Sequence, residues 1–468
     1  MYAKPPAARW SSPLMRKIMQ DRRIFLQSTA GAFAALTASG CMTSNSAQSG
    51  VRTGGAVQSD FTGYGPLIED PKGLLDLPEG FSYRVISRLG DAMDDGGVVP
   101  DKADGMGCFD LGNGEIALVR NHELVPGDGA GGPIASGFGR RDGDFVPGGT
   151  TTIVLDASTL AVKRQFRSLG GTIRNCSGGV TPWGSWLSCE EAPTGPGQKY
   201  GAGLEQNHGW VFEVPASAGG LVDAVPLTQM GRFNHEAAVV DPATGYVYQT
   251  EDRDNGVFYR FIPNEAGELA RGGRLQAMVV DGLTDTRNWA QQTMAVGQSF
   301  PVTWIDLDEV EAPNDDLRER AAAKGAALIA RGEGLHMGVR RDVSEVFICS
   351  TNGGQQRRGQ IFRLVPGIAG ATDTVELFFE SESKEQFDYG DNLTVGPNGH
   401  LIVCEDQYTD IVTNHLRGIT PSGRAYDFGL LRVQTEPAGG CFSPNGKWFF
   451  VNAYAPTTTI AITGPWVT

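Results

Sequence analysis

Histidine is scarce in this sequence, at six in 468 residues. A zinc or di-iron centre built on imidazoles is therefore not expected. The seven cysteines are scattered, with no C-x-x-C pair, which argues against a structural zinc module. A chain of this size does not need disulfides to fold. No G-x-S-x-G elbow is present, and no P-loop or G-x-G-x-x-G follows a suitable strand. Basic residues are outnumbered: 39 Lys and Arg against 54 Asp and Glu give a net charge of −15. Nucleic acid is excluded as a partner, because phosphate backbones are bound by Lys and Arg. An acidic chain suits cations, and an anionic substrate would need metal ions or local arginines.

Six basic residues stand near the start, Lys4, Arg9, Arg16, Lys17, Arg22 and Arg23, against the single acid Asp21 over residues 1–40. Asp21-Arg22-Arg23-Ile24-Phe25-Leu26-Gln27 resembles a twin-arginine export motif, with Asp21 and Gln27 in place of the usual Ser/Thr and Lys. The apolar run after it, Ala30 to Ala38, is too short to span a bilayer. Ala38-Ser39-Gly40-Cys41 resembles a lipoprotein cleavage site, so a lipid anchor at Cys41 is one expected membrane attachment. The expected organisation is an export signal over 1–40, a polar tether over 41–60 and one domain over 61–468. A periplasmic or secreted monomer is expected.

Glycine is plentiful, at 64, and long apolar helices are few. Short strands joined by turns are expected. A weak internal repeat supports this. Each copy has an acidic or Cys residue, a strand, a glycine turn, a second strand and a polar end. The copies begin near Asp104, Cys176, Glu236, Glu333, Asp391 and Glu436. Pro-Asn-Gly turns mark the last two as hairpins. Six such units predict an all-β, six-bladed β-propeller with inserted loops, a β-sandwich or two small β domains being the alternatives. The longest insertion runs from Pro263-Asn264 to Arg331, with a helix expected over 314–329.

In a propeller the residue before each first strand sits at the mouth of the central channel. Carboxylates and one thiolate converging there would repel unless protonated or neutralised by cations. One Cys suits a transition metal such as iron or zinc, and many carboxylates suit calcium or magnesium. Cys176, Glu236, Glu333 and Asp391 are candidate metal ligands, with Asp104 and Glu436 in the same ring. Glu190, Glu251 and Asp252, with Glu405 and Asp406, close the second strands and are candidate outer oxygen ligands. Arg174, Arg232 and Arg331 lie close by. A guanidinium near metals makes a fork for phosphate, and Arg331 and Arg232 are the candidate substrate contacts. The competing reading pairs these arginines with adjacent acids.

The segments Asn175-Cys176-Ser177-Gly178-Gly179, Thr181-Pro182-Trp183-Gly184 and Cys189-Glu190-Glu191 resemble the PhoX family of bacterial alkaline phosphatases. So do Gly231 to Glu236, Arg331-Gly332-Glu333-Gly334 and Gly390-Asp391-Asn392-Leu393, and the likeness runs from about Tyr64 onward. The resemblance implies a propeller holding iron and calcium that cleaves small phosphate esters. It implies Cys176, Glu236, Glu333 and Asp391 as metal ligands, with Cys176 and Arg331 in the catalytic machinery. Ala192 departs from the pattern, since active members commonly carry Asn after the Glu-Glu pair. A calcium-only lactonase or phytase and a non-catalytic calcium-stabilised scaffold are the alternative functions.

Overall fold

The hairpins anticipated from the repeat form, and their turn residues explain why. Ala103–Gly112 pairs with Glu115–His122, leaving Asn113 and Gly114 as the loop, both at positive φ. Asn-Gly accepts that left-handed geometry at little steric cost, and the turn matches the twist of the strands it joins. Asn175–Val180 pairs with Ser185–Glu190, His235–Val240 with Val247–Glu251, and Gly332–Arg340 with Val343–Ser350. Gly390–Val395 pairs with Leu401–Glu405, and Pro437–Phe442 with Phe449–Ala453. The computed structural model describes residues 63–340, 343–367, 371–407 and 409–466. The expected export signal, tether and Cys41 anchor lie outside the described residues.

The first strands of these hairpins lie side by side in chain order, and Pro437–Phe442 returns to meet Ala103–Gly112. The result is an all-β, propeller-like arrangement with very little helix. The ring closes by a pairing that the repeat did not reveal. Ser82–Arg88 joins Thr458–Thr463, so an N-terminal strand completes the C-terminal sheet. A second feature comes from the long insertion. Ser299–Asp306 pairs with Asp373–Glu380, which fuses two neighbouring sheets into one of nine strands.

The helix expected over 314–329 is shorter, Leu317–Ala323. Gly325 stops it at φ 100, with Gly325 N donating to Ala322 O and Ala326 N to Ala321 O. That paired closure ends a helix wherever glycine supplies the left-handed residue. The chain then turns into Leu328–Ile329, which pairs with Gly256–Val257.

Apolar side chains fill the space between sheets. At the ring closure, Phe428, Phe449, Ile460 and Ile462 are fully buried with Leu416. Tyr64, Phe81 and Trp466 pack edge-on against Phe428 or its neighbours, with ring centroids 4.8–6.3 Å apart. This aromatic group ties both ends of the described chain together. Phe428→Ala should cost about 3–5 kcal/mol, the usual loss for a buried aromatic. The midpoint of guanidinium unfolding measures it, and an unchanged midpoint would show that the closure does not limit stability.

Candidate metal centre

A β-bulge opens each first strand. The register jumps from Ala103 to Met106, from Asn175 to Gly178 and from His235 to Ala238. It jumps likewise from Gly332 to Leu335, from Gly390 to Leu393 and from Ala438 to Cys441. Each jump leaves out a pair of residues, and the first of each pair is Asp104, Cys176, Glu236, Glu333, Asp391 and Gly439. A bulge unpairs a residue and re-aims its side chain. Here it turns five acidic or thiol groups toward one another. Two of these strands are entered through an arginine at positive φ, Arg174 at 49° and Arg331 at 45°.

The sixth position differs from expectation. Gly439 occupies it, at φ 64, and a Cβ there would lie 2.2 Å from the Asp104 carbonyl oxygen. No larger residue fits. Glu436 instead precedes its strand and is half-buried. Burial first, then Asp406, pushes its carboxyl well above the ordinary range.

The acids and thiol form three overlapping groups, each with its potential ligand atoms within 4.8 Å of one another. These are Asp104, Glu123 and Cys176; Cys176, Glu191 and Glu236; and Glu236, Glu333 and Asp391. Four residues expected as ligands, Cys176, Glu236, Glu333 and Asp391, are thus brought together. Cys176 Sγ lies 3.5 Å from Asp104 Oδ2. Burial pushes the Cys176 thiol up, and Asp104 and Glu236 add to it. Burial likewise raises Asp104, Glu191, Glu236 and Glu333, each further raised by neighbouring carboxylates. Asp391 is pushed up to about 8, by burial first and then by Asp406.

Glu123 joins the centre although it was not singled out as a ligand, and Glu191 joins it from the Cys189-Glu190-Glu191 segment, whose thiol and two carboxylates suit a metal site. Glu191 belongs to one of three acid pairs that end second strands, and these pairs share a pattern. In each, the first acid turns into the protein and the second turns toward the centre. Glu190 accepts from Ile173 N and His208 Nδ1 on one oxygen, and from Gly209 N and Trp210 N on the other. Glu251 accepts from Tyr259 Oη at 2.8 Å and faces Arg318. Glu405 accepts from Arg417 Nε, Asp388 N and His415 N. Their partners Glu191, Asp252 and Asp406 each act electrostatically on the buried acids of the centre. Glu190 and Glu251, expected as outer ligands, are therefore engaged with protein groups away from the three clusters. Successive residues of a strand point to opposite faces, so one member of each pair had to turn inward.

The arginines divide in the same way. Arg232, expected to touch substrate, is 1% exposed and donates to the carbonyls of His208, Thr194 and Ala312. It ties three loops together, so its expected substrate role is corrected to a structural one. Arg331 donates from Nε and Nη2 to the two oxygens of Asp252, at 2.7 and 3.1 Å. Its Nη2 also reaches Glu333 Oε1 at 2.7 Å. Arg174 bridges Glu123 Oε1 and Glu191 Oε2 at 2.6 and 2.7 Å. Asn234 Nδ2 donates to Glu191 Oε1 at 2.7 Å.

Among the described residues, both carboxylate oxygens of Glu236 and Oδ1 of Asp104 are buried without a hydrogen-bond partner. An unpartnered buried carboxylate is costly, and a cation is its natural complement. The donor set of one thiol among carboxylates fits metal ions, soft at Cys176 and hard elsewhere.

A family model described as alkaline phosphatase PhoX matches residues 62–157 and 148–457. Among solved structures, the chain is similar to Pseudomonas fluorescens PhoX in complex with vanadate, a transition state analogue. That likeness has a TM-score of 0.65 at 18% identity, over 84% of this chain and 96% of that one. A gluconolactonase from Xanthomonas campestris overlaps loosely, with a TM-score of 0.38 at 14% identity over 86% and 98% of the two chains. Among curated proteins, none matches the sequence significantly. Family and site together define a metal-dependent phosphoric ester hydrolase. The chain belongs to the PhoX family of alkaline phosphatases.

Two outcomes test the centre. Glu236→Gln should leave the chelator-treated protein nearly unchanged in stability, because the buried carboxyl is already protonated there, and should destabilise the metal-loaded protein by removing a ligand. Denaturant midpoints with and without chelator read both, and a loss in both states would show that no cation faces Glu236. The second outcome is pH dependence without metal. A carboxyl titrates near 3.9 when unfolded, whereas folded Asp391 holds its proton to about 8. Stability is then full below about 4 and is lost as pH rises toward about 8, because the folded state binds the extra proton. Unfolding of chelator-treated protein at pH 5 and 8 checks this sign.

Proposed function

We propose that the chain is a phosphomonoesterase of the PhoX type, using iron and calcium in a six-bladed propeller. The observation that carries this reading is the buried group of Cys176, Glu236, Glu333 and Asp391 with Arg331 beside it. Cys176, Glu191 and Glu236 would hold a transition metal, and Glu236, Glu333 and Asp391 a harder cation. Metal ions bound there supply positive charge that polarises phosphoryl oxygens and offsets charge developing in the transition state.

The chain's own residues do the positioning. Asp252 takes two nitrogens of Arg331 and fixes the plane of its guanidinium. Arg331 is thereby held beside Glu333, where its positive charge suits a phosphoryl oxygen. Asn234 and Arg174 hold the two oxygens of Glu191 in place. The closure of the ring by Ser82–Arg88 and the succession of first strands support six blades, one per bulge. The N-terminal motif supports export by the twin-arginine route to the periplasm or beyond, as one folded domain.

Metal-loaded protein should hydrolyse phenyl phosphate. Arg331→Ala should lower kcat/KM by about 10²–10³-fold, the usual loss on removing a charge-stabilising donor. Cys176→Ala should lose transition metal and turnover together, followed by elemental analysis. Absence of turnover with both metals bound would end the phosphatase reading. Calcium alone with no turnover of any ester would favour a scaffold.

A further inference from the structure

Beside Glu191 the surface opens into a cavity of about 300 Å³. Arg174, Glu191 and Asn234 line it together with Lys199, Tyr200 and Arg253. The first three connect it to the metal centre, since Arg174 and Asn234 both hold Glu191, which groups with Cys176 and Glu236. An ester whose phosphoryl group reaches the centre past Glu191 leaves its alcohol portion in this cavity.

Three cations face that portion, in a chain whose net charge is −15. Two already have carboxylate partners. Arg174 is held by Glu123 and Glu191, and Arg253 Nη2 lies 3.4 Å from Asp315 Oδ2. Lys199 is exposed, and among the described residues no carboxylate pairs with it. Its ammonium lies 4.9 Å from the ring centroid of Tyr200.

The loop that carries Lys199 is built to stay in place. Its ends meet where His208 N donates to Thr194 O at 2.7 Å. Inside it, Gly197 N donates to Gly201 O and Gln198 N to Gly195 O. The hydroxyl of Thr194 donates to the carbonyl of Lys199 itself. Tyr200 and Leu204 pack on Val146, Ile173 and Ala192, so the loop is fastened beside the strand that bears Glu191. Compact loops with joined ends commonly carry binding groups. The backbone that carries Lys199 is thereby held in place, and its ammonium is a point charge on a flexible stem beside the cavity.

We propose that this cavity is the leaving-group site and that Lys199 selects esters whose alcohol carries a second phosphate. The inference rests on the phosphatase reading above. Propane-1,3-diyl bisphosphate and propyl phosphate are a matched pair of probes, differing by that one group. The ratio of their kcat/KM values is measured for the metal-loaded protein and for Lys199→Gln at low salt. The ratio should fall by about two- to five-fold in the variant, the range of an exposed ion pair, with the loss in KM. Added salt should lower the ratio in the unaltered protein and not in the variant. Lys199→Glu, which reverses the charge, should lower the ratio further. Turnover of both probes with the same ratio in all three proteins would overturn the selection by Lys199 and leave the phosphatase reading standing. Turnover of neither probe would overturn both.

Discussion

Repulsion among buried carboxyl groups is the constraint around which this protein is built. Asp104, Glu123, Glu191, Glu236, Glu333 and Asp391 surround or adjoin one buried thiol. At an effective dielectric constant of about 20, two unit charges about 4 Å apart repel by roughly 4 kcal/mol. Several such pairs rival the whole stability of a typical domain, about 5–15 kcal/mol. Only protonation or cations make the arrangement tolerable. Cations bound there would stabilise the fold as well as serve the site, so folding and loading would be thermodynamically linked.

The scaffold meets this demand through one repeated device. A bulge at the start of every first strand projects a side chain out of the ladder, at the point where the strands come together. The device is local, so chemistry can change from copy to copy without altering the sheet. Cys176 makes one position soft, and Gly439 leaves one position bare because the backbone of Asp104 passes too close. A pseudo-symmetric frame thus produces an asymmetric site.

How much of this was legible beforehand depended on range. Three of the six hairpins were readable because their turns carry Asn-Gly or Pro-Asn-Gly, a local signal with a local cause. Cys176, Glu236, Glu333 and Asp391 were readable because they recur at one place in the repeat. The closing strand Ser82–Arg88 was not, since its partner is far along the chain and nothing in its own residues names Thr458–Thr463. Glu436 was placed in the ring by spacing alone, and a three-residue offset put Gly439 there instead. Arg232 resembled a substrate contact because it adjoins the centre in sequence. Its role depends on three carbonyls contributed by distant loops, which no local pattern encodes.

The paired acids sharpen that last point. Glu190-Glu191, Glu251-Asp252 and Glu405-Asp406 read as pairs of neighbouring acids in the sequence, yet each pair splits by strand alternation. The inward members are saturated by backbone amides, a tyrosine hydroxyl or an arginine, so they anchor the ends of the second strands. The outward members face the centre. Asp252 fixes Arg331, Glu191 is shared by Arg174 and Asn234, and Asp406 raises Asp391. Placing anchor and centre-facing acid on consecutive residues has a physical consequence. Any shift of the strand end that loosened the anchor would move its neighbour by the same amount, so the precision of the centre is inherited from the hydrogen bonds of groups that never touch it.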